Sequence, residues 1–126
     1  MSDINIEELN KELIKLEDRS EIIGSAIVKR NGLLITSRLP KEIDEREFGA
    51  LTATIFGAIE TAGMSIESKN VNNITVEFNN YQLIALDANN YIFVSLLDLN
   101  VNLGLILVEI EESIKIIKKK LGENSF

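Results

Sequence analysis

Between Asp44 and about Ser65 the chain carries a long helix that is apolar on two sides, and the rest of the sequence has to be arranged around it. Asp44 takes the N-cap and Glu47 the third helical position, the spacing of a capping box. Ile43 and Phe48 bracket that start as a hydrophobic staple, and Glu45 and Glu47 suit the positive end of the helix dipole. At about 100° per residue, Phe48, Leu51, Ile55, Ile59, Ala62 and Ile66 fall on one stripe, whose large side chains would contribute about 2 kcal/mol each if buried. Nearly opposite lie Gly49, Ala53 and Gly57, flanked by Ala50, Phe56, Glu60 and Met64. A water-facing helix carries Lys, Glu and Gln at such positions, because glycine weakens a helix and does nothing for solubility. The expectation is therefore a helix packed on both sides. Its large stripe lies on the chain's own sheet, and its small-residue seam meets either a second copy or another element of the same chain.

A chain of 126 residues supports one core, expected over residues 1–121 with a short tail at 122–126. Thirteen basic against 20 acidic residues give a net charge of −7. That argues against nucleic acid and anionic membrane surfaces as partners, since both demand a basic patch. The one basic run, Lys118 to Lys120, falls where a helix ends and complements its dipole. The sequence has no Cys and no His. Disulfides, thiolate chemistry, cysteine zinc sites and the Ser-His and Cys-His nucleophile systems are thereby removed. A polar start without a secretory signal, and a longest apolar run of only Leu103 to Val108, point to a cytoplasmic chain with no membrane insertion.

Along the chain, Asn5 and Glu8 repeat the capping-box spacing with Ile4 and Leu9 as a second staple, and Ile6, Leu9, Leu13 and Leu16 recur at helical intervals. Residues 21–29 are β-branched, small and apolar on both faces. They are followed by Asn31-Gly32 and a second apolar run, which reads as a hairpin with a type I′ turn. After the long helix come three runs, Asn73 to Phe78, Tyr81 to Asp87 and Tyr91 to Leu97, separated by Asn-rich turns and forming an antiparallel meander. The last, apolar on both faces, belongs at the centre of the sheet. The first alternates, with Ile74, Val76 and Phe78 inward and Thr75 and Glu77 outward, which suits an edge. It carries neither Pro nor Lys, the usual protection of an exposed edge. Ile106, Ile110, Ile114, Ile117 and Leu121 mark a closing helix, with Gly122 as its cap. The fold class expected is α/β in the broad sense, an α+β sandwich. Its five-stranded antiparallel sheet has the order helix-strand-strand-helix-strand-strand-strand-helix, with the long helix on one face and the two terminal helices on the other.

The sequence offers no catalytic constellation. It contains no phosphate-binding GxxxxGK[ST] loop and no GxGxxG after a strand. Ser25 has no histidine to activate it, and Glu42, Asp44 and Glu45 lack the spacing and glycine of a calcium loop. Glu109, Glu111 and Glu112 suit a solvated helix flank. Catalytic, cofactor and metal residues are accordingly expected to be absent.

Residues 20 to 118 resemble the roadblock/dynein light chain family, especially its single-domain prokaryotic members. The likeness is carried by the hairpin GSAIVKRNGLLITSRLP, the helix DEREFGALTATIFGAIETAG, the strand YIFVSLLDLN and the opening VNLGLILVEI of the last helix. The resemblance implies a roadblock-like homodimer in which the middle helices pair and edge strands join two sheets. It also implies no enzymatic activity and a role as scaffold or regulator of a Ras-like small GTPase docked on the paired helices. With the seam and the unprotected edge, it makes Gly49, Ala53, Phe56, Gly57, Glu60, Met64, Ile74 and Val76 the expected dimer interface. Thr54, Glu60 and Thr61 are the candidate GTPase contacts. The rival reading is a PAS-like or profilin-like ligand-sensing or general interaction domain, which needs a pocket with convergent polar groups. The inward positions here are almost all Ile, Leu and Val.

Overall fold

The computed structural model describes residues 6–19, 21–68 and 70–120. The elements follow the expected order: α1 (Ile6–Arg19), β1 (Ile22–Lys29), β2 (Leu34–Arg38), α2 (Glu45–Ser65), β3 (Asn73–Glu77), β4 (Tyr81–Ala88), β5 (Tyr91–Asp98) and α3 (Leu103–Lys120). The five strands form one sheet in the order β2-β1-β5-β4-β3, antiparallel at every pairing. The strand with apolar residues on both faces, β5, is the central one, and β3 is an edge.

Strand alternation sorts the core into two layers. Ile27, Ile84, Leu86, Phe93 and Leu97 face α1 and α3, which contribute Leu9, Leu13, Leu16, Ile106, Ile110, Ile114 and Ile117. Ala26, Val28, Ala85, Ile92 and Val94 face α2. The first layer, built mostly of large side chains, lies under two helices, and the second, with alanines at Ala26 and Ala85, lies under one.

Three local expectations change. Ile6, placed on the buried stripe of α1, is half exposed, whereas Leu9, Leu13 and Leu16 are fully buried. The Asn31-Gly32 turn is not type I′. Among the described non-glycine residues only Glu67 and Asn89 have positive φ, so Asn31 does not, while Gly32 has φ 96°. Gly32 N–H donates to the Lys29 carbonyl at 2.8 Å and Lys29 N–H to that of Leu33 at 2.8 Å. These bonds close a three-residue loop whose last position is the left-handed glycine, and Asn31 Oδ1 accepts from Leu33 N–H at 3.0 Å. The third change concerns the face of α2 and is taken up below. The expected caps and staple at Ile4, Asn5 and Gly122, and the stripe residue Leu121, lie outside the described residues. No helix among the described residues is long and apolar enough to cross a membrane.

Candidate functional site

The start of α2 forms as its sequence requires. Asp44 is extended, and its side chain accepts from Glu47 N–H at 3.1 Å, the capping bond. Which face then meets the sheet is decided by what the sheet offers. Gly49, Thr52, Ala53, Phe56 and Gly63 are the buried residues of the helix. Ala53 and Phe56 pack among Ala26, Val28, Ala85, Ile92 and Val94. A Cβ added at Gly49 would stand 3.3 Å from a Val28 methyl, so the small residue admits the helix to this distance.

The expected orientation is therefore inverted. Gly49, Ala53 and Phe56, assigned to the dimer seam, are inside the protomer and not offered to a partner. Gly57 is half-buried, and Glu60 points back towards the sheet with 31% of its side chain exposed. Most of the stripe assigned to the core is outside: Leu51 is 57% exposed, Ile55 51%, Ile59 44% and Ile66 76%. Phe48 at its start does pack on the core as expected, and Met64, assigned to the seam, is exposed. The small-residue repeat permits close approach, as its spacing suggests. The chain uses it on its own sheet. An aliphatic stripe beside a small-residue stripe names two packed faces without saying which is internal.

Beside the exposed stripe lies the edge strand. Ile74 and Val76 alternate inward as expected, but they are half-buried, and Phe78 is half exposed. Thr52 and Ile55 of α2, with Ile74, Val76, Phe78, Leu83 and Ala85, line an apolar cleft of about 210 Å³. The cleft opens where α2 ends its cover of the sheet and β3 continues beyond it. Leu51, Ile55, Ile59 and Phe78 thus join one apolar surface running from helix to sheet edge, the kind of surface that marks an interaction site. The pairing of β3 with β4 is unbroken from Asn73 to Glu77, so nothing twists that edge away.

The three candidate polar contacts do not come together. Thr54 and Thr61 are exposed, yet their hydroxyls donate within the helix, to the Ala50 carbonyl at 2.9 Å and the Gly57 carbonyl at 3.0 Å. They present a methyl group and an oxygen acceptor outward. Glu60 is held by Arg30 of the β1–β2 turn, whose Nη1 donates to its Oε2 at 2.7 Å. Leu51, Ile55, Ile59 and Phe78 are the surface residues that the pattern showed but assigned to the core. Arg30 had no sequence signal, because its partners lie far along the chain. No group of three or more metal-ligating side chains occurs among the described residues.

Comparison with known proteins adds independent findings. The family model described as the Roadblock/LC7 domain matches residues 9–97. The uncharacterized protein MJ1340 of Methanocaldococcus jannaschii is 32% identical over 110 residues, covering 87% of this chain and 96% of its own. Among solved structures, Myxococcus xanthus MglB superposes with a TM-score of 0.88 at 21% identity, covering 94% of this chain and 91% of that one. A structure described as MglB with a tetrameric arrangement gives a TM-score of 0.88 at 12% identity, over 98% and 94% of the two chains. At those identities the two superpositions speak for the fold.

Proposed function

The chain belongs to the roadblock/LC7 family, and from that premise we propose that it is a non-enzymatic homodimeric scaffold whose paired α2 helices dock a Ras-like small GTPase. The observation that carries the first half is the apolar surface of Leu51, Ile55, Ile59 and Phe78 continuous with the unprotected edge of β3. A two-fold axis beside that edge brings the same surface of a second copy against it, so each copy covers the other. Ile74 and Val76 remain in the interface on this reading, with Phe78 and the aliphatic stripe in place of Gly49, Ala53, Phe56 and Gly57. The tetrameric arrangement described for MglB supports self-association as a habit of this fold.

The second half rests on the family resemblance and on the absence of a phosphate loop, His and Cys from the sequence. A protein so composed is suited to positioning another protein's groups. With the aliphatic stripe turned to its copy, Thr54, Ala58 and Thr61 face outward along the pair and form the docking strip. A strip without formal charge leaves steering to the rim, where Glu47 and Arg46 stand exposed.

Light scattering on a size-exclusion column gives a dimer for the natural chain, and Ile55→Arg raises the dissociation constant at least a hundredfold, about 3 kcal/mol. A monodisperse natural monomer at tens of micromolar rejects the dimer. GTPases of the same genome, loaded with GDP or a non-hydrolysable GTP analogue, are then tested for binding. Failure of all of them in both states rejects the scaffold reading.

A further inference from the structure

Arg30 is the most heavily engaged side chain on the α2 face of the sheet. Its Nη1 donates to Glu60 Oε2 at 2.7 Å and its Nη2 to the Asp87 carboxylate. Its Nε donates to the Asn89 carbonyl at 2.7 Å. The guanidinium also lies over the Phe56 ring, 5.3 Å from its centroid. One residue thereby joins the β1–β2 turn, the middle of α2, the end of β4 and the β4–β5 turn.

What it holds is the poorly anchored half of the helix. Up to Phe56, α2 is seated on the sheet by Gly49, Thr52, Ala53 and Phe56, but beyond it the one buried residue is Gly63. Gly63 is enclosed by the helix's own following turn, since a Cβ there would come within 2.2 Å of the Ser68 carbonyl oxygen. A Cβ at Gly57 would meet nothing within 4 Å. The second half of α2 nevertheless carries Ile59 and Met64 and leads into Ile66, all exposed.

We propose that Arg30 is a positioning residue that latches this half of α2 to the sheet, so that residues 57–65 form a separate opening unit whose closed state presents Ile59 in line with Leu51 and Ile55. The charges give the latch its sense. Glu60 and Asp87 share one cation, and without it two carboxylates face each other across the gap between helix and sheet. Loss of Arg30 therefore does more than remove a tie; it drives the helix outward. Lysine cannot replace it, because a single ammonium lacks the planar fork that reaches two carboxylates and a carbonyl at once. That the closed state serves self-association rests on the reading of the apolar face given above. The latch itself does not.

Amide hydrogen exchange tests the latch in the Ile55→Arg background, where the apolar face is blocked and copy number is removed as a variable. Arg30→Gln is expected to speed exchange at residues 59–65 at least tenfold while residues 48–56 and β5 change less than twofold. Adding Asp87→Asn to Arg30→Gln removes the repulsion and recovers part of that protection, whereas Arg30→Lys alone recovers less. No change at 59–65, an equal rise across all of α2, or no recovery with Asp87→Asn each overturns the latch. Should Arg30→Gln fail to fold, Glu60→Gln, which keeps a neutral hydrogen bond, is read the same way with a smaller rise. In the unblocked chain Arg30→Gln raises the dimer dissociation constant about tenfold. An unchanged constant beside altered exchange overturns the link to self-association, and a monomeric natural chain rejects the dimer itself while leaving the exchange result standing.

Discussion

Glu8, in the first turn of α1, accepts from Lys120 Nζ at 2.8 Å at the far end of α3, closing the two terminal helices like a clasp. The hydrogen bond from Lys120, then its charge and that of Lys11, hold the Glu8 carboxyl below its ordinary 4.5. The bond to Glu8, with the charges of Glu8 and Glu12, holds Lys120 above its ordinary 10.5. A depressed acid contributes stability that is present above the unfolded carboxylate value and is lost as pH falls through the folded one. A raised base contributes stability that is complete below its unfolded value and is lost as pH rises through the folded one. The clasp therefore holds through neutrality and opens only as pH falls below the ordinary carboxylate value or rises above the ordinary lysine value. Carboxyl chemical shifts should place the Glu8 midpoint below 4.5 and return it upward in Lys120→Met; an unmoved midpoint contradicts the assignment. Two glycines of α2 make a sharper pair. Gly57 faces open space, so Gly57→Ala should stabilise by about 0.5–1 kcal/mol, as in an ordinary helix interior. Gly63→Ala drives a methyl into the Ser68 carbonyl and should destabilise by about 1–3 kcal/mol despite the same gain in propensity. Urea unfolding midpoints moving in opposite directions would bear this out; a common direction would not.

Elements were legible in the sequence to different depths, for physical reasons. The capped start of α2, the central place of β5 and the edge place of β3 follow from patterns that a single strand or helix carries within itself. The face of α2 does not, because it depends on the side chains opposite, which come from β1, β4 and β5. With Ala26, Val28, Ala85, Ile92 and Val94 as the floor, the helix turns its small residue Ala53 and the ring of Phe56 to it, with Phe48 packing at the margin. The hairpin was placed correctly by Asn31-Gly32, yet its turn type depended on one extra residue in the loop. The Arg30 cluster was invisible because its carboxylates come from a helix and a strand far away in sequence. The inverted face yields its own prediction. Ala53 is 6% exposed against the sheet, so Ala53→Arg buries an unpaired cation within the protomer and costs about 3–5 kcal/mol of folding stability. Ile55→Arg sits outside and should leave the protomer's own stability within about 0.5 kcal/mol. Ala53→Arg is therefore compared with the natural Ala53 in that background, where loss of association is common to both. Circular dichroism melts separate the two. Equal melting temperatures would mean that Ala53 is not internal.

At the scale of the whole molecule, the layered order of helices and sheet was readable from alternation alone, because a sheet apolar on both sides must be covered on both sides. What alternation could not reveal is that the two edges of the sheet differ. β3 pairs with β4 in continuous register and presents no basic side chain and no proline. β2 is also five residues long, but its register with β1 shifts between Ile27 and Val28. Its last residue, Arg38, is held by Glu17 at 3.0 Å, and Ser37 donates to Glu45 at 2.7 Å. One margin invites a further strand, and the other is irregular and engaged by its neighbours. If β3 meets its copy across a two-fold axis, its amides should exchange far more slowly than loop amides, and loop-like rates at both sides of that strand would contradict the pairing. The asymmetry also sets how such an assembly ends. A block with two receptive margins polymerises into a ribbon, adding units without limit. A block with one can be extended once, after which both outward margins of the doubled sheet are β2, and chain growth through strands terminates by itself. Any larger particle must then be built helix against helix, so its size is set by surfaces that have no part in propagating a fibre.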